Sequence, residues 1–195
     1  MLQPVLDWLL GTHARMPFRR QWADLRHLRV SPGSLGKRIE VALALYPCDL
    51  LFVHRDAERG TLAERAEENA DAIGGDGSVA NVPVVPVRMM EAWFLFDESA
   101  IRRAADNPSG KVALALPASR SVERLPDPKG ALEQLLRAAS ERTGRRLEKF
   151  RMGPAKHRVA ELITDYSPLR QLSAFAALET QLVSVLTEQD WIRPR

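Results

Sequence analysis

A continuous apolar run that stops abruptly at charged residues limits the folds open to this chain. The run DLLFVHR, residues 49–55, shows no alternation of apolar and polar side chains, which is typical of a strand buried on both faces of a sheet. The helical pattern LGKRIEVALALY precedes it and the polar helical pattern TLAERAEENADAI follows it. A strand placed between helices predicts a parallel sheet, so we expect an α/β fold with a mostly parallel central sheet flanked by helices.

A second strand is expected in VPVVPVRM, which is β-branched but contains Pro83 and Pro86. Proline cannot donate to a strand ladder, so the segment is predicted to be an edge strand or an irregular one. The second half of the chain has mainly helical patterns. The 195 residues show no clear linker, which predicts one domain, with an α/β core over 1–110 and a mainly helical extension over 111–195.

Two helices of the second half carry clear start signals. In LPDPKGALEQLLRAASERTG, Asp127 is a good N-cap, Pro128 takes the first helical position and Gly144 is a plausible stop. In SPLRQLSAFAALETQLVSVLTEQ, Ser167 is the expected cap of one long helix. These helices are predicted to pack on the α/β core.

Composition excludes several classes of protein. The lone Cys48 forms no internal disulfide, which fits a cytoplasmic protein, and a thiol nucleophile is not expected at this position. The apolar opening MLQPVLDWLLG is too short to span a bilayer, so no membrane partner is expected. The sequence contains no GxxxxGK, GxGxxG or GxSxG motif, and its four histidines lack zinc-ligand spacing. The net charge of +3 permits contact with nucleic acid without demanding it.

The segment HRDAE, at the end of the predicted buried strand, is the first candidate site. Ligands of open α/β sheets bind beyond the carboxyl ends of the strands. Asp56 and Glu58 are two residues apart and point the same way in extended chain, so both carboxylates reach one Mg²⁺ or Mn²⁺ ion. His54 has the same parity and is a candidate base or phosphate contact. The alternative is a polar strand end, with Glu58 in the first turn of the next helix.

Glu91 follows the second predicted strand and is the candidate third carboxylate of that metal site. Its alternative is an acidic residue at a helix start, beside aromatic core residues. The expected substrate-binding residues are Arg55, Arg88 and Lys129. Lys129 lies at a helix N-terminus, where backbone N–H groups favour phosphate, although Asp127 as a simple N-cap explains that segment as well.

A looser basic group lies in the second half of the chain. It consists of Lys149, Arg151, Lys156 and His157. Such clusters neutralise phosphates in nucleic-acid-binding proteins, but they also occur on solvated helix faces. We interpret this group as surface.

Four segments together resemble a bacterial family, the domain-of-unknown-function 4276 family (DUF4276). They are CDLLFVHRDAE, VVPVRMMEAWFLFDE with AIRRAA and NP, LPDPKGALEQLLRAAS, and SPLRQLSAF. The family is similar to the Toprim fold of topoisomerases, primases and some defence nucleases. The resemblance therefore implies a Toprim-like central sheet and magnesium-dependent phosphodiester chemistry.

The resemblance also implies roles for individual residues. It places Asp56 and Glu58 at the Toprim Asp-x-Asp pair, with Glu in place of the second Asp, and Glu91 in the EAW motif of the family. Family members begin with a strand and a Glu-Gly turn before the first helix. Here that helix follows Met1 directly, so the strand and its glutamate are expected to be missing.

Two functional hypotheses follow from these observations. The first is a magnesium-dependent nuclease or related phosphoryl-transfer enzyme that acts on nucleic acid, in defence against foreign DNA. Its catalytic residues are His54, Asp56, Glu58 and Glu91. The alternative is a non-catalytic module that binds nucleic acid or protein on a degenerate Toprim-like scaffold. A homodimer is a further expectation, because an exposed sheet edge encourages pairing.

Overall fold

The computed structural model describes residues 1–29, 33–57, 62–73, 79–87 and 89–194. These residues form a mixed α/β fold in which helix predominates. The strands are β1 (Leu50–His54) and β2 (Ala80–Val84). The helices are α1 (Leu2–His13), α2 (Leu35–Leu45), α3 (Leu62–Ile73), α4 (Glu98–Ala104), α5 (Pro128–Ser140), α6 (Gly144–Glu148), α7 (Met152–Leu162) and α8 (Ser173–Glu188). Short 3₁₀ helices cover Met90–Phe94, Ser119–Arg124 and Ser167–Gln171.

The chain divides into two compact units. The helical unit comprises Met1–Thr12 and Pro86–Ala176, and the sheet unit comprises His13–Val85 and Ala177–Arg195. Across the described residues, no helix combines the length and the apolar character needed to cross a bilayer. The expected single domain, with its core over 1–110 and extension over 111–195, stays a prediction.

The helical unit is built around a cluster of aromatic side chains. Trp93 and Phe175 are fully buried, and their rings meet edge to face with centroids 5.5 Å apart. The Trp8 ring lies 6.1 Å from that of Tyr166, whose buried hydroxyl donates to the Ala160 carbonyl at 2.6 Å. Aromatic pairs at these distances contribute beyond their buried area, so this cluster anchors the helices that surround it.

Helix α5 begins as its sequence predicts and ends earlier. The Asp127 carboxylate accepts from the Gly130 amide at 2.8 Å, which confirms the N-cap, and Pro128 follows it. The helix ends at Ser140 because Glu141 adopts a left-handed conformation, with φ of 52°. Gly144, the expected stop, instead begins α6. The Glu141 carboxylate accepts from the amides of Lys111 and Val112, which ties the helix end to a distant segment.

The long helix expected from Ser167 is two helices in the structure. A 3₁₀ helix covers Ser167–Gln171, and α8 begins at Ser173. The carboxylate of Glu123, fifty residues earlier, accepts from the Ser173 amide and hydroxyl at 3.1 and 2.8 Å and from the Ala174 amide at 3.0 Å. This distant carboxylate satisfies the free amides of the first turn of α8, as a local N-cap residue would.

In the sheet unit, β1 and β2 form a parallel pair in which Val53 lies opposite Pro83. The Arg55 amide donates to the Val84 carbonyl at 3.0 Å. Hydrogen bonds in a parallel pair involve alternate residues of each strand, so the nitrogen of Pro83 faces away from β1 and no ladder bond is lost. The expectation of an edge strand with proline is confirmed for the described residues.

The expected burial of β1 on both faces is wrong. Only Val53 is buried, the Leu50, Leu51 and Phe52 side chains are partly exposed, and His54 is exposed. The described residues give β1 one partner strand, and one partner covers less of a strand than a wide sheet does. The α/β class and the parallel pairing are confirmed, whereas a Toprim-like central sheet stays a prediction.

Candidate functional site

The end of β1 places two of the predicted catalytic residues together. The His54 Nε2 atom lies 3.4 Å from the Asp56 Oδ1 atom, and the two side chains are 30% and 33% exposed. This agrees with the expectation that the residues share one side of the extended chain. Both remain within reach of solvent, so a proton or a cation has access to the pair. Glu58, the expected second carboxylate, lies outside the described residues.

The Arg55 guanidinium is paired within its own unit. Its Nη1 atom donates to the Glu68 carboxylate of α3 at 2.7 Å, and Arg65 donates to the same oxygen at 2.7 Å. The hydrogen bond from Arg65 is the main cause that lowers the pKa of the Glu68 carboxyl, and Arg55 adds to the lowering. A substrate phosphate would have to compete with Glu68 for Arg55. Arg88 lies outside the described residues.

Glu91 lies in the first turn of the 3₁₀ helix Met90–Phe94, in the helical unit, whereas Asp56 belongs to the sheet unit. Burial lowers the pKa of the Met1 amino group, and the carboxylates of Glu161 and Glu91 act in the opposite direction. The neighbours of Glu91 in its own unit therefore include an amine.

Over the described parts of the chain, no group of three histidine, cysteine or acidic side chains converges as metal ligands would.

Lys129 is exposed in the first turn of α5. The Asp127 carboxylate already occupies the N-terminus of this helix through the Gly130 amide. Capping by Asp127 therefore accounts for the segment, and a phosphate at the same amides would displace the cap.

A cavity of about 280 Å³ in the helical unit collects cationic side chains from three parts of the chain. We call it the basic cavity. It is lined by Arg142 after α5, by Lys149 and Arg151 between α6 and α7, and by Arg158 of α7. Asp106, just beyond α4, is the one carboxylate among its described lining residues. Four cations facing one carboxylate make the cavity strongly electropositive.

Asp106 fixes two of the four cations. It accepts from the Arg142 Nη2 atom at 3.3 Å and from the Arg158 Nη1 atom at 2.5 Å. No carboxylate in the described part of the chain lies within ion-pair distance of Lys149 or Arg151. These two exposed cations are therefore the ones that an incoming anion meets without having to displace a protein carboxylate.

The basic cavity also has an apolar wall. It is formed by Phe150 together with Ala104, Pro154 and Ala155. The Arg142 guanidinium carbon lies 5.2 Å from the centroid of the Phe150 ring, which is a cation–π contact. Phe150 stands between Lys149 and Arg151 in the chain, so an aromatic ring and two cations reach the cavity from three consecutive residues.

Part of this cavity could be recognised in the sequence. Lys149 and Arg151 belong to the basic group that we interpreted as surface. The two other members of the group lie elsewhere: Lys156 pairs with Glu133 at 2.9 Å, and His157 lies 3.4 Å from the Met1 amino group. Arg142 and Arg158 belong to the basic segments RTGRRLEKFR and KHR, whose charge is evident in the sequence, but their meeting with Asp106 was not expected, because it depends on the packing of α4, α5 and α7. Comparison of the chain with protein-family models, with curated proteins and with solved structures found no significant match.

Proposed function

We propose that the protein binds nucleic acid through the basic cavity. The observation that carries this proposal is the convergence of four cationic side chains, Arg142, Lys149, Arg151 and Arg158, on one cavity with a single carboxylate. Lysine and arginine side chains of this kind bind the phosphate groups of a nucleic-acid backbone, which is a polyanion.

The arrangement of the cations also supports phosphate as the ligand group. Asp106 holds the Arg142 and Arg158 guanidinium groups on the cavity wall, so less side-chain entropy is lost when they contact an anion. Lys149 and Arg151 contribute charge that is not neutralised by a described carboxylate. The proposal needs no metal ion, and corresponds to a binding module rather than to an enzyme.

Replacing Lys149 and Arg151 together with glutamine is expected to weaken binding to a single-stranded oligonucleotide by at least tenfold at low salt. Each lost phosphate contact reduces the slope of log affinity against log salt by about 0.7 for a single strand, so the double variant should lose about 1.4. Fluorescence anisotropy over a salt series measures both quantities.

Arg120→Gln is the matched control, because Arg120 is exposed and does not line the cavity. It removes a positive charge and should leave affinity within twofold of the wild type. Asp106→Asn should act in the opposite direction and strengthen binding, since asparagine keeps the left-handed conformation of residue 106 (φ of 58°) and a side-chain oxygen that accepts from the guanidinium groups, but removes the negative charge. Equal affinities for all of these variants would refute the proposal.

A second candidate function is magnesium-dependent phosphodiester hydrolysis at the end of β1. The 3.4 Å approach of His54 to Asp56 beyond a parallel strand favours it. On this proposal the fold has a Toprim-like central sheet, Asp56, Glu58 and Glu91 hold Mg²⁺ or Mn²⁺, and His54 moves a proton. The ion would polarise the phosphodiester and lower the pKa of the attacking water.

Asp56→Ala is expected to abolish any cleavage of DNA or RNA that depends on Mg²⁺ or Mn²⁺. On this proposal, loss of the carboxylate removes a ligand of the ion that polarises the phosphodiester and activates the attacking water. Product formation on gels, with and without EDTA, measures the effect. Glu64→Ala, which removes an exposed carboxylate of α3, is the control. Cleavage that survives in Asp56→Ala, or that ignores EDTA, would eliminate this candidate.

A further inference from the structure

We infer that the basic cavity takes a single unpaired nucleotide, with its base against Phe150 and its flanking phosphates on Lys149 and Arg151. The ligand is therefore a strand end or an unstacked position of single-stranded nucleic acid. This inference rests on the proposed function and specifies the class of nucleic acid that the same site recognises.

The size of the cavity favours one nucleotide over a duplex surface. Its volume of about 280 Å³ lies just below the range of roughly 300–1,000 Å³ for pockets that hold a drug-sized ligand. A duplex keeps its bases stacked inside the helix, and a protein reaches a base face in a pocket only after the nucleotide is unstacked or unpaired. A concave site of this volume suits one unstacked nucleotide.

The composition of the walls favours a base in addition to phosphate. A site for phosphate alone needs donors and positive charge, whereas here Phe150 and Pro154 contribute apolar surface beside the cations. Single-stranded nucleic acids bind to protein grooves that combine basic residues with aromatic rings, on which the bases stack without sequence preference. Phe150 is half-buried, which holds the ring in place while part of it stays accessible.

The order of residues along the chain matches the order of groups along a strand. Lys149, Phe150 and Arg151 are consecutive and all three line the cavity, so an aromatic residue is flanked along the chain by two cations, as a base is flanked by two phosphates along a single strand. The Arg142 guanidinium carbon lies 5.2 Å from the centroid of the Phe150 ring, and Asp106 accepts a hydrogen bond from this group. Its planar face extends the surface on which a base stacks.

The test compares a single strand, the same strand without bases at its central positions, and the duplex that the intact strand forms with its complement; the two single strands have equal length and phosphate count. Anisotropy at one salt concentration should show the intact strand binding at least fivefold more tightly than the abasic strand, since stacking on an aromatic side chain contributes roughly 5- to 150-fold. The intact strand should also bind more tightly than the duplex. Phe150→Leu should bring the intact strand down to the level of the abasic one, whereas Phe150→Tyr should keep the difference.

The outcomes separate this inference from the proposed function. If all three oligonucleotides bind equally, and Lys149→Gln with Arg151→Gln weakens them all, the cavity is a general phosphate site and the inference fails while the proposed function stands. If none of the oligonucleotides binds at low salt, both fail. Should Phe150→Leu not fold, as judged by circular dichroism, the comparison of intact and abasic strands on the wild-type protein still decides the inference.

Discussion

Replacing Trp93 with alanine is expected to lower the free energy of unfolding by about 3–5 kcal/mol. The Trp93 side chain is fully buried in the helical unit, and its ring meets that of Phe175 edge to face at 5.5 Å. Alanine would leave a large cavity beside Phe175 and remove a favourable aromatic contact. Urea denaturation followed by far-UV circular dichroism measures the loss.

Trp93→Phe is the informative control for this prediction. The indole N–H of Trp93 is buried and finds no hydrogen-bond acceptor among the described residues. Phenylalanine keeps a ring against Phe175 and removes this unpaired donor, so it should cost much less than alanine, about 1–2 kcal/mol. Equal stability of the wild type and Trp93→Ala would contradict the position of Trp93 in the core.

Replacing Glu123 with alanine is expected to lower the free energy of unfolding by about 2 kcal/mol. Its carboxylate accepts from the amide and hydroxyl of Ser173 and from the Ala174 amide, at the first turn of α8. The substitution leaves these donors without their partner and removes a negative charge from the positive end of the helix dipole. The urea midpoint and the helical signal at 222 nm report the change.

Glu148→Ala is the matched control, because Glu148 is an exposed glutamate at the end of the short helix α6. Its loss should change stability by less than about 0.5 kcal/mol. Glu123→Gln keeps one oxygen acceptor without the charge and should lie between the alanine variant and the wild type. A Glu123→Ala protein as stable as Glu148→Ala would show that this long-range cap does not support α8.

Features that depend on neighbouring residues could be predicted from the sequence. The N-cap of α5 is one case, because Asp127 and Gly130 are three residues apart and Pro128 fixes the backbone between them. The approach of His54 to Asp56 is another, since alternation along an extended chain brings residues i and i+2 to one side. In both cases the decisive contact spans two or three residues.

Features that depend on distant residues could not be predicted. The end of α5 is set by Glu141, whose carboxylate bonds to amides about thirty residues earlier in the chain. The break before α8 is set by Glu123 in the same way. The predicted burial of β1 was wrong for a related reason. An apolar run indicates that a strand has apolar surface to bury, but it does not indicate how many neighbouring strands the fold places beside it.

The basic cavity combines a feature that depends on neighbouring residues with one that depends on distant residues. The consecutive residues Lys149, Phe150 and Arg151 are visible in the sequence as a basic and aromatic segment. Asp106 and Arg158 are fifty-two residues apart, and no local pattern relates them. The charge of the segment was therefore evident, whereas its role as one wall of a cavity required the packing of three helices.

The backbone nitrogen of Pro83 points away from β1, and for this reason the two hydrogen-bonding edges of the sheet differ. Along the outer edge of β2, Pro83 offers no N–H group, so a strand that added there would lose a hydrogen bond at the middle of the pairing. The residues of β1 whose backbone faces away from β2 are Leu50, Phe52 and His54, and each of them has an N–H group. Addition of a further strand is therefore less favourable along β2 than along β1.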